Sequence, residues 1–213
     1  MSASFSSLSA FPSEIFRLIC SSYPRGSIFF ADSLSLSGHR PEAVRWALSE
    51  LSRDGVSIIR LGRGIYCYPR LDLHAKVMYP SDSDIAAALA ERWRVRIAPC
   101  GAQAAFLAGL TPFQNYPLRF VSDGSEQHFD LTNGRRIEFV RRKSVKVFSF
   151  RSEILRNLVE GLRFLGEDGV KEYEVSVVRK TLREVPESDF LHDSLLAPGW
   201  VRDLCLSLWK DSE

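Results

Sequence analysis

The first eighty residues repeat apolar positions at the spacing of a helix. The clearest segment is PEAVRWALSELSRDG (residues 41–55), in which apolar residues recur every three or four positions, at Val44, Ala47, Leu48 and Leu51. Residues at this spacing lie on one stripe of a helix, so the segment predicts a helix with one buried face. Pro41 suits the first position of a helix, and Gly55 tolerates the left-handed conformation that ends one.

Two shorter helices are predicted before this one. Residues 12–23 combine a Pro-Ser start with helical apolar spacing. The helix must end before Pro24, because a residue that precedes proline avoids the α conformation. A turn and a short apolar run, RGSIFF, follow it. The segment FADSLSLSG then predicts a second short helix that ends at Gly38.

Strand-like residues follow the third helix. The segment VSIIRLGRGIYCYP (56–69) is rich in β-branched and aromatic residues, and Gly62-Arg63-Gly64 predicts a tight turn between two strands. Three helices followed by a two-stranded hairpin are typical of a winged helix-turn-helix. The predicted fold class is therefore α+β, with a winged helix-turn-helix domain over residues 1–78.

A winged helix binds DNA with its third helix in the major groove and its hairpin, the wing, against the backbone or minor groove. The candidate DNA-binding residues lie on the polar face of the third helix, on the wing and beside them: Arg25, Ser27, Arg40, Arg45, Trp46, Ser49, Arg53, Arg60 and Arg63. Two alternatives stay open. The arginines also fit an ordinary solvated surface. Trp46, opposite the apolar stripe, faces either DNA or the second domain.

Residues 79–213 predict a second, mixed α+β domain that ends in helices. An extended connector over residues 70–80 leads to a helix capped by Ser81 or Ser83. Strands are predicted at VRIAP, LRFVSDG and VKVFSF, a small-residue helix at GAQAAFLAGL, and a hairpin around Asn133-Gly134. Apolar spacing after Arg151 predicts three further helices, in the segments 154–165, 175–185 and 200–210.

Charge is unevenly distributed, although the net charge of the chain is only +2. Residues 135–156 carry eight Lys/Arg against two Asp/Glu, whereas residues 157–213 carry seven against twelve. The basic segment surrounds the predicted hairpin, with Arg135, Arg136, Arg141, Arg142, Lys143 and Lys146. Three interpretations stay open: a solvated hairpin paired with the acidic C-terminal region, a second phosphate-binding surface for DNA or RNA, or a protein interface. In this hairpin region we expect Ile137, Phe139 and Val145 to face the core.

Composition is that of an ordinary globular protein, with 45% hydrophobic and 25% charged residues. No apolar run approaches the ~20 residues that span a bilayer. The first residues lack the basic segment and apolar core of a secretory signal, so we expect a cytoplasmic protein that does not contact a membrane. The four cysteines are far apart and form no C-x-x-C pair, which predicts reduced thiols and no metal or other cofactor.

An enzyme in the second domain is the competing class. Asp130 and Glu138 flank the hairpin turn, but the lysine that accompanies the carboxylates of a Mg²⁺-dependent nuclease does not follow Glu138. His128 lies beside Asp130 without a Ser or Cys motif. The sequence contains no P-loop and no G-x-S-x-G element. We therefore predict that the protein is not an enzyme and has neither catalytic nor metal-binding residues.

Several segments together resemble one bacterial family. They are YPRGSIFFADS, AVRWALSELSRDG and IIRLGRGIYCYP, followed by DIAAALAE, IAPCGAQAAFLAGLT, RFVSDGS and GRRIEFVRR in that order. Their order resembles that of the AbiEi-type antitoxins of type IV toxin–antitoxin systems, over nearly the whole chain. Trp46 on the third helix departs from the family pattern, so we do not expect the operator of the relatives to be the operator here.

The resemblance implies a transcriptional autorepressor that is also an antitoxin. The winged helix would bind inverted repeats in its own promoter, with two copies of a monomer or weak dimer on the DNA. Residues 79–213 would oppose a toxin of the nucleotidyltransferase class without a stable complex. As the surface for that action we expect the basic hairpin residues Arg135, Arg136, Arg141, Arg142 and Lys143.

Overall fold

The chain is a mixed α+β protein, and the computed structural model describes residues 10–35, 38–142 and 144–210. It divides into two compact units. The first unit contains the described residues up to Leu89 together with Phe129–Arg135, and the second contains Ala90–His128 and the described residues from Arg136 onward. The first unit thus extends beyond residue 78 and includes a segment from much later in the chain. Independent folding of residues 1–78 stays a prediction.

The first unit begins with helices and short strands in alternation. Its elements are α1 Ala10–Ser22, β1 Ile28–Phe30, α2 Ala31–Ser35, α3 Pro41–Leu51, β2 Ile59–Gly62 and β3 Ile65–Cys67. The three strands form one antiparallel sheet in the order β1-β3-β2. The predicted end of α2 lies partly outside the described residues, because residues 36 and 37 are not among them.

The apolar stripe of α3 forms the core of the first unit, as its spacing predicts. Val44, Ala47 and Leu48 are fully buried and pack with apolar residues of α1, β1 and β3. Burial of a Val or Leu side chain contributes about 1.5–3 kcal/mol, so this stripe fixes which face of α3 points outward. Phe29 and Tyr66 stack across the sheet with their ring centroids 5.9 Å apart.

The predicted extended connector over residues 70–80 is wrong in part, because a small antiparallel hairpin forms there. Its strands are β4 Arg70–Leu71 and β5 Val77–Met78. The carboxylate of Asp72 accepts the backbone N–H groups of His74 and Lys76, both at 2.8 Å, and stabilises the turn. Strands of two residues are too short to show alternation, so the pattern alone did not indicate them.

The helix α4 Asp82–Trp93 follows, and its cap is Ser81 of the two predicted alternatives. The Ser81 hydroxyl accepts the backbone N–H of Asp84 at 3.1 Å, while the Asp84 carboxylate accepts the backbone N–H of Ser81 at 3.1 Å. This reciprocal pair satisfies two N–H groups that the first turn of a helix leaves unpaired.

The second unit contains most of a four-stranded mixed sheet and a group of helices. Its strands and small-residue helix are β6 Ile97–Pro99, α5 Ala102–Leu107, β7 Leu118–Ser122, β8 Gln127–Asp130 and β9 Arg136–Arg141. The sheet order is β6-β7-β9-β8, with β7 parallel to β9 and antiparallel to β6. The strands β8 and β9 flank the predicted Asn133-Gly134 turn, and Ile137 and Phe139 are buried as expected.

Helices complete the second unit. They are α6 Glu153–Leu165, α7 Glu172–Leu182, α8 Glu187–Ser194 and α9 Gly199–Lys210, with short 3₁₀ helices at Lys146–Ser149 and Glu167–Gly169.

The strand predicted over residues 145–150 is wrong, since a 3₁₀ helix occupies most of that segment. Val147 packs against Ala98, Cys100 and Val121, whereas Val145 is 51% exposed and does not face the core. Val147 is the buried residue of this 3₁₀ helix, and the segment does not show the alternation of buried and exposed residues that a strand would have. The helix α8 was not predicted.

Close packing joins α5 to α6. Ala104 and Ala105 are fully buried, and a Cβ atom added at Gly161 of α6 would come within 2.8 Å of the Ala105 Cα atom. The expected small-residue packing of α5 is therefore present, with a glycine opposite it. No helix among the described residues is long and apolar enough to cross a membrane.

Candidate nucleic-acid interface

The face of α3 opposite the buried stripe is exposed and carries three of the nine predicted DNA-binding side chains, and two more flank the helix. Arg45, Trp46 and Ser49 lie on this face, and Arg53 follows the helix end. Arg40 is the N-cap residue, in an extended conformation, and its side chain makes no capping hydrogen bond. These side chains lie outward because burial of the apolar stripe determines the rotation of the helix.

Two arginines of this face are paired with glutamates of the same helix. Arg45 lies 3.0 Å from Glu42, and Arg53 lies 2.7 Å from Glu50, each through a guanidinium nitrogen and a carboxylate oxygen. Both guanidinium side chains are largely exposed, and pairs of this type contribute only about 0.3–0.5 kcal/mol. A phosphate group can therefore replace the carboxylate at little cost.

Trp46 is an exposed aromatic residue on the same face. Its surface is 49% exposed, so it does not belong to the apolar core of the first unit. A large indole surface in water is unfavourable, which makes this position a candidate contact for a partner molecule.

The turn between β2 and β3 presents Arg63. Gly64 has φ of 73°, the left-handed conformation that glycine allows, and its carbonyl accepts the backbone N–H of Ala31 at 3.0 Å. Arg63 is exposed and has no hydrogen-bonding or ionic partner within the part of the chain that the structure describes. Arg60 differs, since its Nε atom donates to the Gly62 carbonyl at 3.4 Å. Arg63 is therefore the more available cation of the two.

Arg25 and Ser27 have structural contacts next to β1. The Arg25 guanidinium donates to the Pro69 carbonyl at 3.0 Å and lies 4.7 Å from the centroid of the Tyr68 ring. The Ser27 carbonyl accepts the backbone N–H of Tyr68 at 2.9 Å. These contacts attach the start of β1 to the segment after β3, so both residues help to hold the sheet together whatever else they bind.

The outer edge of β2 is paired with the segment Phe129–Arg135. The Thr132 backbone N–H donates to the Leu61 carbonyl at 2.9 Å, and its hydroxyl donates to the Arg60 carbonyl at 2.9 Å. Gly62 and Leu131 form an isolated β-bridge, and a Cβ atom on Gly62 would meet a backbone oxygen at 3.0 Å. This pairing was not predicted from the sequence, in which Gly62 indicates only the turn, although a glycine also allows the close approach of the Asp130 backbone.

Three of the four cysteines, Cys67, Cys100 and Cys205, are buried, whereas Cys20 is exposed. Burial raises the pKa of Cys67 and Cys100 to about 11 and that of Cys205 to about 12, so all three are protonated near neutral pH. Desolvation also raises the pKa of the Tyr66 phenol, against a smaller opposing effect of the Arg60 charge.

The predicted basic hairpin does not act as one cluster. Arg135 belongs to the first unit and lies 3.0 Å from the buried carboxylate of Asp82. Arg142 belongs to the second unit and lies 2.5 Å from the carboxylate of Glu160, which is 2% exposed. Arg136 and Arg141 are exposed at the two ends of β9, and Lys143 lies outside the described residues. Two of the five predicted residues are thus already neutralised by acidic groups.

Glu138, one of the two carboxylates that the nuclease hypothesis requires, pairs with an arginine. Glu138 accepts a hydrogen bond from the Nε atom of Arg119 at 2.9 Å, across the parallel strands β7 and β9. Within residues 10–35, 38–142 and 144–210, no group of three or more His, Cys, Asp or Glu residues has the arrangement of a metal site.

Comparison with known families matches residues 15–190 to a family of unknown function (DUF6088). The chain belongs to the DUF6088 family. No curated protein and no solved structure matches it significantly. The match begins within α1 and ends within α8, so it includes α3, the turn between β2 and β3, and the Phe129–Arg135 segment of this DUF6088 protein.

Proposed function

We propose that this DUF6088 protein binds double-stranded DNA through a winged helix in its first unit, represses its own promoter at inverted repeats and acts as an antitoxin. One observation carries the DNA-binding part. The elements run helix, strand, helix, helix, strand, strand, and the sheet order β1-β3-β2 places the two strands of the Gly62–Gly64 turn side by side. This order of elements supports a winged helix, in which the third helix and the hairpin would enter the grooves of DNA.

The polar face of α3 supplies the chemistry for binding in a major groove. Arg45 and Ser49 are exposed, and both residue types form hydrogen bonds with base edges or phosphates. Arg40 is exposed at the start of α3, where the helix N-terminus also favours a phosphate. Arg63 at the wing tip would neutralise a further phosphate or enter the minor groove.

The antitoxin part of the proposal rests on the resemblance to the AbiEi-type family. In this proposal the second unit opposes a nucleotidyltransferase toxin without a stable complex. Arg136 and Arg141 are the exposed described members of the basic hairpin and so the best candidates for that action. Arg135 and Arg142 pair with the buried carboxylates of Asp82 and Glu160, so their charges are partly balanced within the fold, and they are weaker candidates for a surface contact with a toxin.

A protein-interaction module is the second candidate, and two observations favour it. Trp46 exposes 49% of its surface at the centre of the α3 face. The α3 face also has little net charge, because the arginines at 40, 45 and 53 are opposed by Glu42 and Glu50, which leaves one positive charge. A weakly charged face with an exposed tryptophan suits a protein partner as well as DNA.

A gel-shift titration on the DNA upstream of the gene tests the proposal. We expect Arg63→Ala to weaken binding to all sequences and to reduce the salt dependence, log K against log salt, by about 0.9, because one phosphate contact is lost. Arg202→Ala in α9 is the control, because this half-exposed arginine lies outside the proposed interface, and the variant should bind as the unaltered protein does. Absence of DNA binding at low salt by the unaltered protein would support the protein-interaction module instead.

A further inference from the structure

The second unit contains a cavity of about 260 Å³ between the 3₁₀ helix Lys146–Ser149 and α6. One part of its wall is charged and the other is apolar. The charged side chains are Arg142, Lys146, Glu160 and Arg163. The apolar part includes Val147, Phe150 and Leu196, and Val147 is buried in the apolar cluster beneath the sheet. A mixed wall of this kind is typical of sites for organic molecules with one charged end.

Glu160 holds the two guanidinium groups of the cavity in place. It is 2% exposed, and its two oxygens bind different arginines: one lies 2.5 Å from Arg142 Nη1 and the other 3.2 Å from Arg163 Nη1. Each guanidinium has five N–H donors, so a single contact to Glu160 leaves most of them available. The carboxylate therefore positions the arginines without occupying them.

The cavity has an excess of positive charge. Its three cations face one carboxylate, which leaves two net positive charges. Lys146 is exposed at the rim and has no acidic partner among the residues that the structure describes. A phosphate monoester carries about −1.5 to −2 charges near neutral pH and has three strong acceptor oxygens. Its charge matches that of the cavity.

We propose that this cavity binds a small phosphate monoester with an apolar body. The phosphate group lies among Arg142, Lys146 and Arg163, and the apolar body lies against Phe150 and Leu196. The cavity is near the lower end of the sizes usual for ligand sites, about 300 Å³, which restricts the ligand to a small molecule. The inference does not depend on DNA binding, because all of these residues belong to the second unit.

Calorimetric titration of the full chain with phenyl phosphate, inorganic phosphate and phenol tests the proposal. We expect phenyl phosphate to bind more tightly than inorganic phosphate, because only the ester fills the apolar part of the cavity, and phenol not to bind measurably. Equal affinities for phenyl phosphate and inorganic phosphate would overturn the assignment of the apolar wall. No binding of phenyl phosphate at millimolar concentration in low salt would overturn the site itself.

Two lysine variants then locate the binding. Lys146→Gln should weaken phenyl phosphate binding about tenfold or more, because a hydrogen bond to a charged group is lost. Lys180→Gln in α7, also exposed but outside the cavity, is the matched control and should leave the affinity unchanged. Unaltered binding by Lys146→Gln, or equal weakening in both variants, would place the phosphate elsewhere. Both substitutions replace exposed lysines, so unchanged thermal melts are expected for both.

Discussion

The arginines on α3 and the arginines at the cavity of the second unit meet carboxylates in different environments. On α3, Arg45 pairs with Glu42, and both side chains are mostly exposed. At the cavity, Arg142 and Arg163 share Glu160, which is almost fully buried. An exposed pair contributes little to stability and leaves the arginine available, whereas a buried carboxylate depends on its cations. Arginine–glutamate pairs are thus easily exchanged for other contacts on α3, whereas at the cavity they hold the arginine side chains in fixed positions.

The largest expected effect comes from removal of the shared buried carboxylate. Glu160→Gln leaves Arg142 and Arg163 without their counter-charge, and loss of one partner of a buried pair costs about 3–5 kcal/mol. We expect a smaller loss, about 1.5–3 kcal/mol, because the two arginines that remain are partly exposed and water can solvate their charges. Urea denaturation followed by circular dichroism measures the free energy of unfolding.

The matched change on α3 is Glu42→Gln. It removes the partner of Arg45 from an exposed pair, so the free energy of unfolding should fall by less than about 1 kcal/mol. Equal losses for Glu42→Gln and Glu160→Gln would contradict the contrast between the two regions.

The next effect concerns the packing behind the cavity. A methyl group at Gly161 would come within 2.8 Å of Ala105 Cα and Leu110 Cδ1, so Gly161→Ala forces α5 and α6 apart. We expect a loss of about 1–3 kcal/mol in the free energy of unfolding, as for other overpacked cores. Gly199→Ala at the start of α9 has open space around the new methyl and should not destabilise the protein. A Gly161→Ala protein as stable as the unaltered one would show that α6 can shift freely.

A smaller effect is expected at the outer edge of β2. Thr132→Val removes the hydroxyl that donates to the Arg60 carbonyl while keeping the shape of the side chain, and should reduce the free energy of unfolding by about 0.5–1.5 kcal/mol.

A fragment of residues 1–78 is expected to fold and to melt cooperatively. Its melting temperature should be lower than that of the full chain, because it lacks the whole Phe129–Arg135 segment. Thermal melts followed by circular dichroism measure both changes. A non-cooperative melt of the fragment would mean that this segment is required for the fold of the first unit.

The smallest effect is a pH dependence at an exposed pair of the second unit. Hydrogen bonds from the Arg96 side chain and backbone lower the pKa of Asp123 below its usual 3.8. A lowered folded-state pKa stabilises the protein at pH values above the unfolded-state pKa, and that contribution disappears as pH falls through the folded-state value. Asp123→Asn should therefore reduce stability at about pH 7 by less than about 1 kcal/mol and have a smaller effect at about pH 2. A difference that grows on acidification would reverse the sign and refute the assignment.

Local pattern was sufficient for the elements that repeat over several turns or are bounded by strong turn residues. The stripe of α3, the small-residue helix α5 and the hairpin around Asn133-Gly134 all lie where spacing and turn chemistry placed them. Short or irregular elements were not predictable in this way. The two-residue strands β4 and β5 and the 3₁₀ helix at Lys146–Ser149 are shorter than the period needed to recognise them.

The sequence by itself determined which arginines lie on the outer face of α3, because burial of a periodic apolar stripe fixes the rotation of a helix. It also placed Arg63 in the turn between β2 and β3, because Gly62 and Gly64 are strong turn residues. The tertiary structure alone decided which cations remain available. Thr132 and Arg60 are 72 positions apart in the chain, and Arg142 and Glu160 are 18 apart, yet both pairs are in contact. Contacts at such separations depend on how strands and helices pack, and local spacing carries no information about them. The basic residues that are neighbours in the sequence therefore have different surroundings in the fold. Arg135 pairs with Asp82 and Arg142 pairs with Glu160, whereas Arg136 and Arg141 are exposed on β9.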